Sequence, residues 1–279
     1  MAVMDATVTI LVDNNKAEDG LCTEHGLSFW IEILGRRILF DTGQGPSLEP
    51  NAQALGVDLS KTDILVLSHG HYDHTGGIAS VIRSAPDLHV YCHPGVVQAR
   101  YAIRDGKAKS IGIPQAAKEA LEGVPSDHLH WVEKPTMLTD VVGLTGPVPR
   151  LTDYEDTGGP FFLDPEGERP DLIEDDLALW IRTKTGTVVC LGCAHAGPVN
   201  TLDHIVGLTG DPHLRAVIGG FHLMDAGRER VDQTILAMRR LAPDSLLPCH
   251  CTGRSPTTLL EDALGDQVTP GKSGMVFRF

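Results

Sequence analysis

Three histidines and an aspartate crowd into six residues of this chain, His69-Gly70-His71-Tyr72-Asp73-His74, and that crowding restricts the fold more than any other feature. The run follows a compact, β-rich apolar stretch, residues 62–68. It precedes residues 75–85, which read as a helix closed by Pro86. In a strand-to-helix turn, side chains two residues apart can point the same way, so His69 and His71 can grip one ion. Asp73 and His74 stand at the helix start and can address a second. Imidazole and carboxylate donors suit Zn²⁺, Fe²⁺ or Mn²⁺ better than soft ions such as Cu⁺. A chance polar loop is the bland alternative, and it does not account for so many ligand-type residues at one strand end.

The flanking pattern indicates layers of sheet and helix. Residues 6–13, 27–34 and 36–43 read as strands, the last two joined by a short Gly-Arg-Arg turn as a hairpin. A polar loop, residues 14–26, separates the first two and carries Glu24 and His25. After the presumptive helix, residues 88–93 form the next strand. From about 98 to 168 the pattern weakens, Gly and Pro become frequent, and Arg100, Arg104, Lys107 and Lys109 make a local basic patch. Such a stretch is expected to be an insertion or lid. Regular signals resume at Leu177 with a second hairpin, LALWIRT and TVVCLGC, around a Lys-Thr-Gly turn. Helices at 199–208 and 229–241 then alternate with strands at 215–221 and 245–248. A short helix follows from Pro256, and SGMVFRF reads as a closing edge strand. Both halves run from hairpin to strand–helix alternation, with reactive residues at the C-terminal ends of strands. The expectation is one α/β domain over 1–279, an αββα sandwich with the insertion at 98–168.

Composition narrows the partners. A net charge of −14 over 279 residues argues against nucleic acid or an anionic membrane, since both need clustered Lys and Arg. No stretch approaches the roughly 20 apolar residues of a membrane helix, and the first eleven residues lack a basic start and a long apolar run. Six cysteines in a chain this long do not read as a disulfide framework. The expectation is a reduced, cytoplasmic protein.

Two ions need more ligands than one loop supplies, so the second half must contribute. Its strand-end candidates are Cys193 and His195 in LGCAHAG, His222 in GGFHL and His250 in PCHCTG. The close pairs Cys190/Cys193 and Cys249/Cys251 leave open a structural zinc site with four thiolates, although Cys190 lies inside an apolar strand run. His25 sits in a loop able to overhang the metals. Arg150, Lys107 and Lys109 are candidates to hold an anionic substrate. His89, His128 and His130 belong to no constellation.

SHGHYDHTGG resembles the His-x-His-x-Asp-His motif of the metallo-β-lactamase superfamily, and FDTG at 40–43 resembles its first motif. The resemblance implies that Asp41 orients a ligand histidine by hydrogen bond and that His250 is the family's last histidine. Many members place a bridging carboxylate in Thr-Gly-Asp where this chain has Gly192-Cys193-Ala194-His195. EHGLSFWIE, DDLALWI, LGCAHAG, GGFHL and PCHCTG together resemble the subgroup with the archaeal enzymes that condense a dihydropterin with ribofuranosylaminobenzene phosphate. More distantly, they are similar to bacterial phosphorylcholine esterases. In that subgroup a carboxylate just before the LALWI-type strand takes the bridging role, which points to Asp175, with Asp176 beside it. The ligand set implied is His69, His71 and His195 on one ion, Asp73, His74 and His250 on the other, and Asp175 between them.

The function expected is hydrolysis of a phosphoester-type or other small anionic substrate. Two divalent transition ions would serve, zinc first, with manganese or iron as alternatives. Asp73 or Asp175 would hold the nucleophilic water, and His222 or His250 would protonate the leaving group. The alternatives are a non-hydrolytic synthase like the pterin-condensing relatives, and a metal-binding sensor without turnover.

Overall fold

The apolar runs become paired strands, and the computed structural model describes residues 6–279. In chain order the elements of the first part are β1 (Thr7–Val12), β2 (Ser28–Ile33), β3 (Arg36–Phe40), α1 (Leu48–Ala54), β4 (Ile64–Val66), α2 (Tyr72–Thr75), α3 (Ile78–Ser84), β5 (His89–Cys92), β6 (Tyr101–Arg104), β7 (Lys107–Ser110), α4 (Gln115–Glu122) and β8 (Leu129–Trp131). They are followed by β9 (Thr136–Met137), β10 (Val142–Leu144), β11 (Phe161–Phe162), β12 (Ala178–Thr183), β13 (Gly186–Leu191), α5 (Pro198–Thr209), β14 (Leu214–Gly220), α6 (Arg228–Leu241), β15 (Leu246–Cys249), α7 (Arg254–Leu264) and β16 (Val276–Arg278). The chain divides into two compact units. One comprises the residues up to Val132 with Pro160–Asp171 and Lys272–Phe279; the other comprises Glu133–Gly159 and Leu172–Gly271.

The first unit is built on a seven-stranded sheet in the order β16-β1-β2-β3-β4-β5-β8. Strands β1 to β3 are antiparallel, and β3, β4, β5 and β8 run parallel. One sheet face, with Leu11, Trp30, Leu39, Leu65 and Val90, packs on Leu48 and Ala52 of α1, Ile78 and Val81 of α3, and Ala117 and Leu121 of α4. Spacings of three and four along each helix put these residues on one stripe, which is why a helix covers the sheet there. The β2–β3 turn is Leu34-Gly35, with φ of 52° and 74°. That is one residue earlier than Gly-Arg-Arg suggests, because a two-residue hairpin needs positive φ at both central positions.

The second unit is a six-stranded sheet in the order β15-β14-β13-β12-β10-β9. The expected hairpin β12–β13 is antiparallel, and β13, β14 and β15 are parallel. Trp180, Val189, Leu191 and Val217 form its apolar face with Val199, Leu202 and Ile205 of α5, Val231 and Met238 of α6, and Leu260 of α7. Among the described residues, no helix is long and apolar enough to cross a membrane.

Two expectations change in detail. Residues 98–168 are more regular than their composition suggests: β8 extends the first sheet, β9 and β10 extend the second, and β6, β7 and β11 form a separate three-stranded sheet. The helix expected at 75–85 starts only at Ile78, as α3, and a separate helical turn, α2, precedes it across a break at Gly76-Gly77. The break follows from how the two sequence motifs grip each other. Thr42 donates through its N–H and its Oγ1 to the His74 carbonyl, at 2.8 and 2.9 Å, while Gly76 N–H donates to the Gly43 carbonyl at 2.9 Å. Backbones this close leave no room for a Cβ, which at Gly76 would run into the Gln44 carbonyl. Gly76→Ala should therefore cost about 1–3 kcal/mol in urea denaturation. Gly207→Ala, inside α5 where a Cβ meets nothing within 4 Å, should be neutral or stabilise by up to about 1 kcal/mol.

Candidate metal centre

Parallel pairing of β3 with β4 aligns Phe40 with Val66, so Asp41 and Ser68 leave the sheet side by side. Asp41 is fully buried and accepts three hydrogen bonds: Ser68 N–H at 2.7 Å, Ser68 Oγ at 2.6 Å and His74 Nδ1 at 2.6 Å. Ser68 Oγ also lies 2.9 Å from His69 Nδ1. One carboxylate thus orients His74 directly and His69 through a hydroxyl, as the FDTG resemblance implied for Asp41; Ser68 was not anticipated, although it sits inside the motif. A carboxylate on Nδ1 sets the proton there and leaves the lone pair of His74 on Nε2. His69 Nε2 and His71 Nδ1 stand 3.0 Å apart, a separation an ion at about 2.0–2.1 Å from each nitrogen can span. All four predicted ligands of this turn are buried. His25, expected to overhang the site, places Nε2 3.1 Å from Asp73 Oδ2. Phe161 packs its ring 5.3 Å from that of His71, and Lys109 lies over the ring of Tyr72.

The second unit gathers its own donors at the C-terminal ends of β13, β14 and β15. Cys193, His195 and His222 bring ligand atoms within 4.8 Å of one another, and so do Cys193, His250 and Cys251. The His195 and His222 rings are 4.2 Å apart. Backbone strain marks the same places: φ is 51° at Ala194, 47° at His222 and 48° at His250, as it is 59° at Asp41. Non-glycine residues are held there only where the surroundings over-determine them, and such strain concentrates at functional sites.

Cys251 belongs to this cluster and was not singled out as a ligand. Burial opposes its ionisation, but Cys193 and the charges of His222 and His250 prevail and hold the thiol well below its usual range. The four-thiolate alternative is not formed among the described residues. Burial pushes the Cys190 thiol up to about 12, the mark of an inert core cysteine, and the donor groups pair Cys193 and Cys251 with His250 instead.

Asp175 and Asp176 lie in the turn before β12 rather than in the strand. Strand alternation therefore does not separate them, and both are buried. Asp176 Oδ2 accepts the Ala196 N–H at 2.7 Å and so braces the loop that carries His195. Burial pushes its carboxyl up to about 7, with Asp175 adding to the shift and the Ala196 N–H and Arg150 opposing it. Arg150 donates Nη1 to the His195 carbonyl at 2.7 Å and Nη2 to the Leu172 carbonyl. It braces the loop that carries His195.

A family model described as the metallo-beta-lactamase superfamily matches residues 23–250. The chain is similar to the 7,8-dihydropterin-6-methyl-4-(beta-D-ribofuranosyl)-aminobenzene-5'-phosphate synthase of Methanocaldococcus jannaschii, 28% identical over 92% of this chain and 90% of that one. An uncharacterized protein of the same organism is 32% identical over 91% of this chain and 93% of its own length. The crystal structure of a metal-dependent hydrolase of the beta-lactamase superfamily aligns with a TM-score of 0.81 and 27% identity, covering 98% of each chain. The α/β fold class expected from the sequence is the class of these relatives.

Removing the charge at Asp41 tests the scaffold of the first donor set. Asp41→Asn should weaken divalent-metal binding about 10- to 100-fold in chelator competition, since an amide has one acceptor oxygen and its NH₂ would face either the Ser68 N–H or the pair Ser68 Oγ and His74 Nδ1. The same variant should unfold about 2 kcal/mol more easily, because buried donors lose their acceptor.

Proposed function

The chain belongs to the metallo-β-lactamase superfamily, and on that premise we propose that it is a metal-dependent hydrolase of phosphoester-type bonds in a small anionic molecule. The observation that carries the reading is the buried set His69, His71, Asp73 and His74, in which Asp41 and Ser68 orient His74 and His69. Its imidazole and carboxylate donors fit a borderline divalent ion such as zinc, manganese or iron. When bound, such ions supply Lewis acidity and a nucleophile at neutral pH.

In this reading His69, His71 and His195 would hold one ion and Asp73, His74 and His250 a second, with Asp175 as the further carboxylate ligand. Asp73 orients the attacking water, and His25, hydrogen-bonded to Asp73, steadies it. His222 gives a proton to the leaving oxygen. Lys109, beside Tyr72 next to Asp73 in the chain, offers its ammonium to the substrate anion. The setting is cytoplasmic, an assignment that rests on cysteine usage.

A second reading, a synthase that joins a pterin to an aromatic amine, is favoured by the near full-length similarity to the archaeal enzyme. Phosphate release from a panel of phosphomonoesters, phosphodiesters and diphosphates supports hydrolysis. Turnover only when an aromatic amine phosphate is supplied with a dihydropterin diphosphate supports the synthase instead.

Elemental analysis should find between one and two equivalents of transition metal in the purified protein, and His69→Ala with His71→Ala should remove at least one. Unchanged metal in the double variant would rule the assignment out. Asp175→Ala should keep the tighter ion, lose the second and lower turnover by orders of magnitude, while Asp176→Ala, which only loosens the loop carrying His195, keeps both ions with weaker affinity. Two ions and full activity in both variants would move the bridge to Cys193 or a water.

A further inference from the structure

We infer that Glu155 and Arg230 are positioning residues, which clamp the strap 152–159 so that its backbone sets the tautomer of His195 and confines the ring of His222. This rests on reading His195 as a metal ligand. Neither residue belongs to any motif, and the strap falls in the stretch the sequence marks as an insertion or lid. Its hydrogen bonds are those of a fixed support.

The start of α5 holds one end of the strap. Glu155 is buried, and its Oε1 accepts the Val199 N–H at 2.8 Å while Oε2 accepts the Asn200 N–H at 2.9 Å and the Thr152 hydroxyl at 3.0 Å. These amides belong to the first turn of the helix, where N–H groups have no partner within the helix and the dipole favours an anion. Asn200 Oδ1 returns the grip, accepting the N–H groups of Leu151 and Thr152 at 2.9 and 3.0 Å. Gly197 is required beside Glu155, since its φ is 101° and a Cβ there would strike the carboxylate.

The first turn of α6 holds the other end. Arg230, only 5% exposed, pairs through Nη1 with Asp156, and Asp156 Oδ1 also accepts the Gly158 N–H at 2.7 Å. Between these anchors the Thr157 carbonyl meets His195 Nδ1 at 2.8 Å. A carbonyl can only accept, so Nδ1 carries the proton and Nε2 carries the lone pair. The next residue, Gly158, lies against the His222 ring so closely that a Cβ would overlap it. Two histidines are thus supported from one short segment, and that segment is placed by two charged residues rooted in helix starts.

The test compares the wild type with Glu155→Gln, Arg230→Met, Arg230→Lys and, as a destabilised control, Leu260→Ala in the core under α7. Zinc affinity is measured by chelator competition, the His195 tautomer by long-range ¹H–¹⁵N correlations in the metal-free protein, and stability by thermal unfolding. Glu155→Gln and Arg230→Met should weaken zinc binding about 10- to 100-fold and give His195 mixed tautomers. Arg230→Lys should recover most of the affinity, and Leu260→Ala should melt early with affinity and tautomer unchanged. If the two clamp variants melt early as the control does but keep wild-type affinity and a single Nδ1–H tautomer, the strap is only structural and the inference falls. A wild type that binds no zinc would sink the metal reading alone; a tautomer that shifts in the clamp variants would still uphold the clamp.

Discussion

Everything at the first donor set hangs on one buried carboxylate. Asp41 sits at the end of β3 with no exposed surface, and three donors converge on it from the neighbouring strand end and from α2. An isolated carboxylate in such a place would be costly to ionise; hydrogen bonds from charged or polar neighbours are what keep it there. The reverse holds as well, because without that acceptor His74 and Ser68 lose a hydrogen bond that helps to fix their orientation. The parallel pairing of β3 and β4, the glycine-tight junction at Gly76 and the left-handed backbone of Asp41 all serve to bring these groups together.

How legible this was differs by kind of interaction. The clustering of His69 to His74 in one turn, the bond from Asp41 to that turn, the two hairpins, the closing strand and most helices could be read from local pattern, because each depends on neighbours close in sequence or on a motif of fixed spacing. The β2–β3 turn was misplaced by one residue because exposed Leu34, not a polar residue, takes a positive φ. The helix break at Gly76 was missed because it depends on a backbone approach from Gln44, more than thirty positions earlier. Cys251 was legible as a cysteine of a close pair but not as the one that joins Cys193, since the choice between Cys249 and Cys251 turns on how β15 ends. His89 and His130, assigned to no constellation, lie on neighbouring strands with ring nitrogens 2.9 Å apart, a pairing that sheet order alone decides.

Supports are harder to read than ligands for a physical reason. A ligand must be one of a few side chains, whereas an orienting group can be any carbonyl, and the residues that fix that carbonyl can be any charge with a partner. Ser68, Asp176, Arg150 and Glu155 each act on a histidine loop through backbone or hydroxyl contacts. Ser68, Asp176 and Arg150 lie in or beside stretches the sequence singles out, but nothing in the local sequence of any of the four announces a supporting role.

The pairing of β16 with β1 has a consequence for how the molecule comes into being. The first unit is discontinuous: its sheet takes its outer strand from Lys272–Phe279, after the whole of Leu172–Gly271 has been laid down in the other unit. Until Lys272–Phe279 has been made, β1 presents an unprotected row of amides and carbonyls to the solvent, a template for pairing with another chain. Joining segments so distant in sequence carries a loop-closure cost that slows folding. That edge of the sheet therefore stays open throughout the synthesis of Leu172–Gly271.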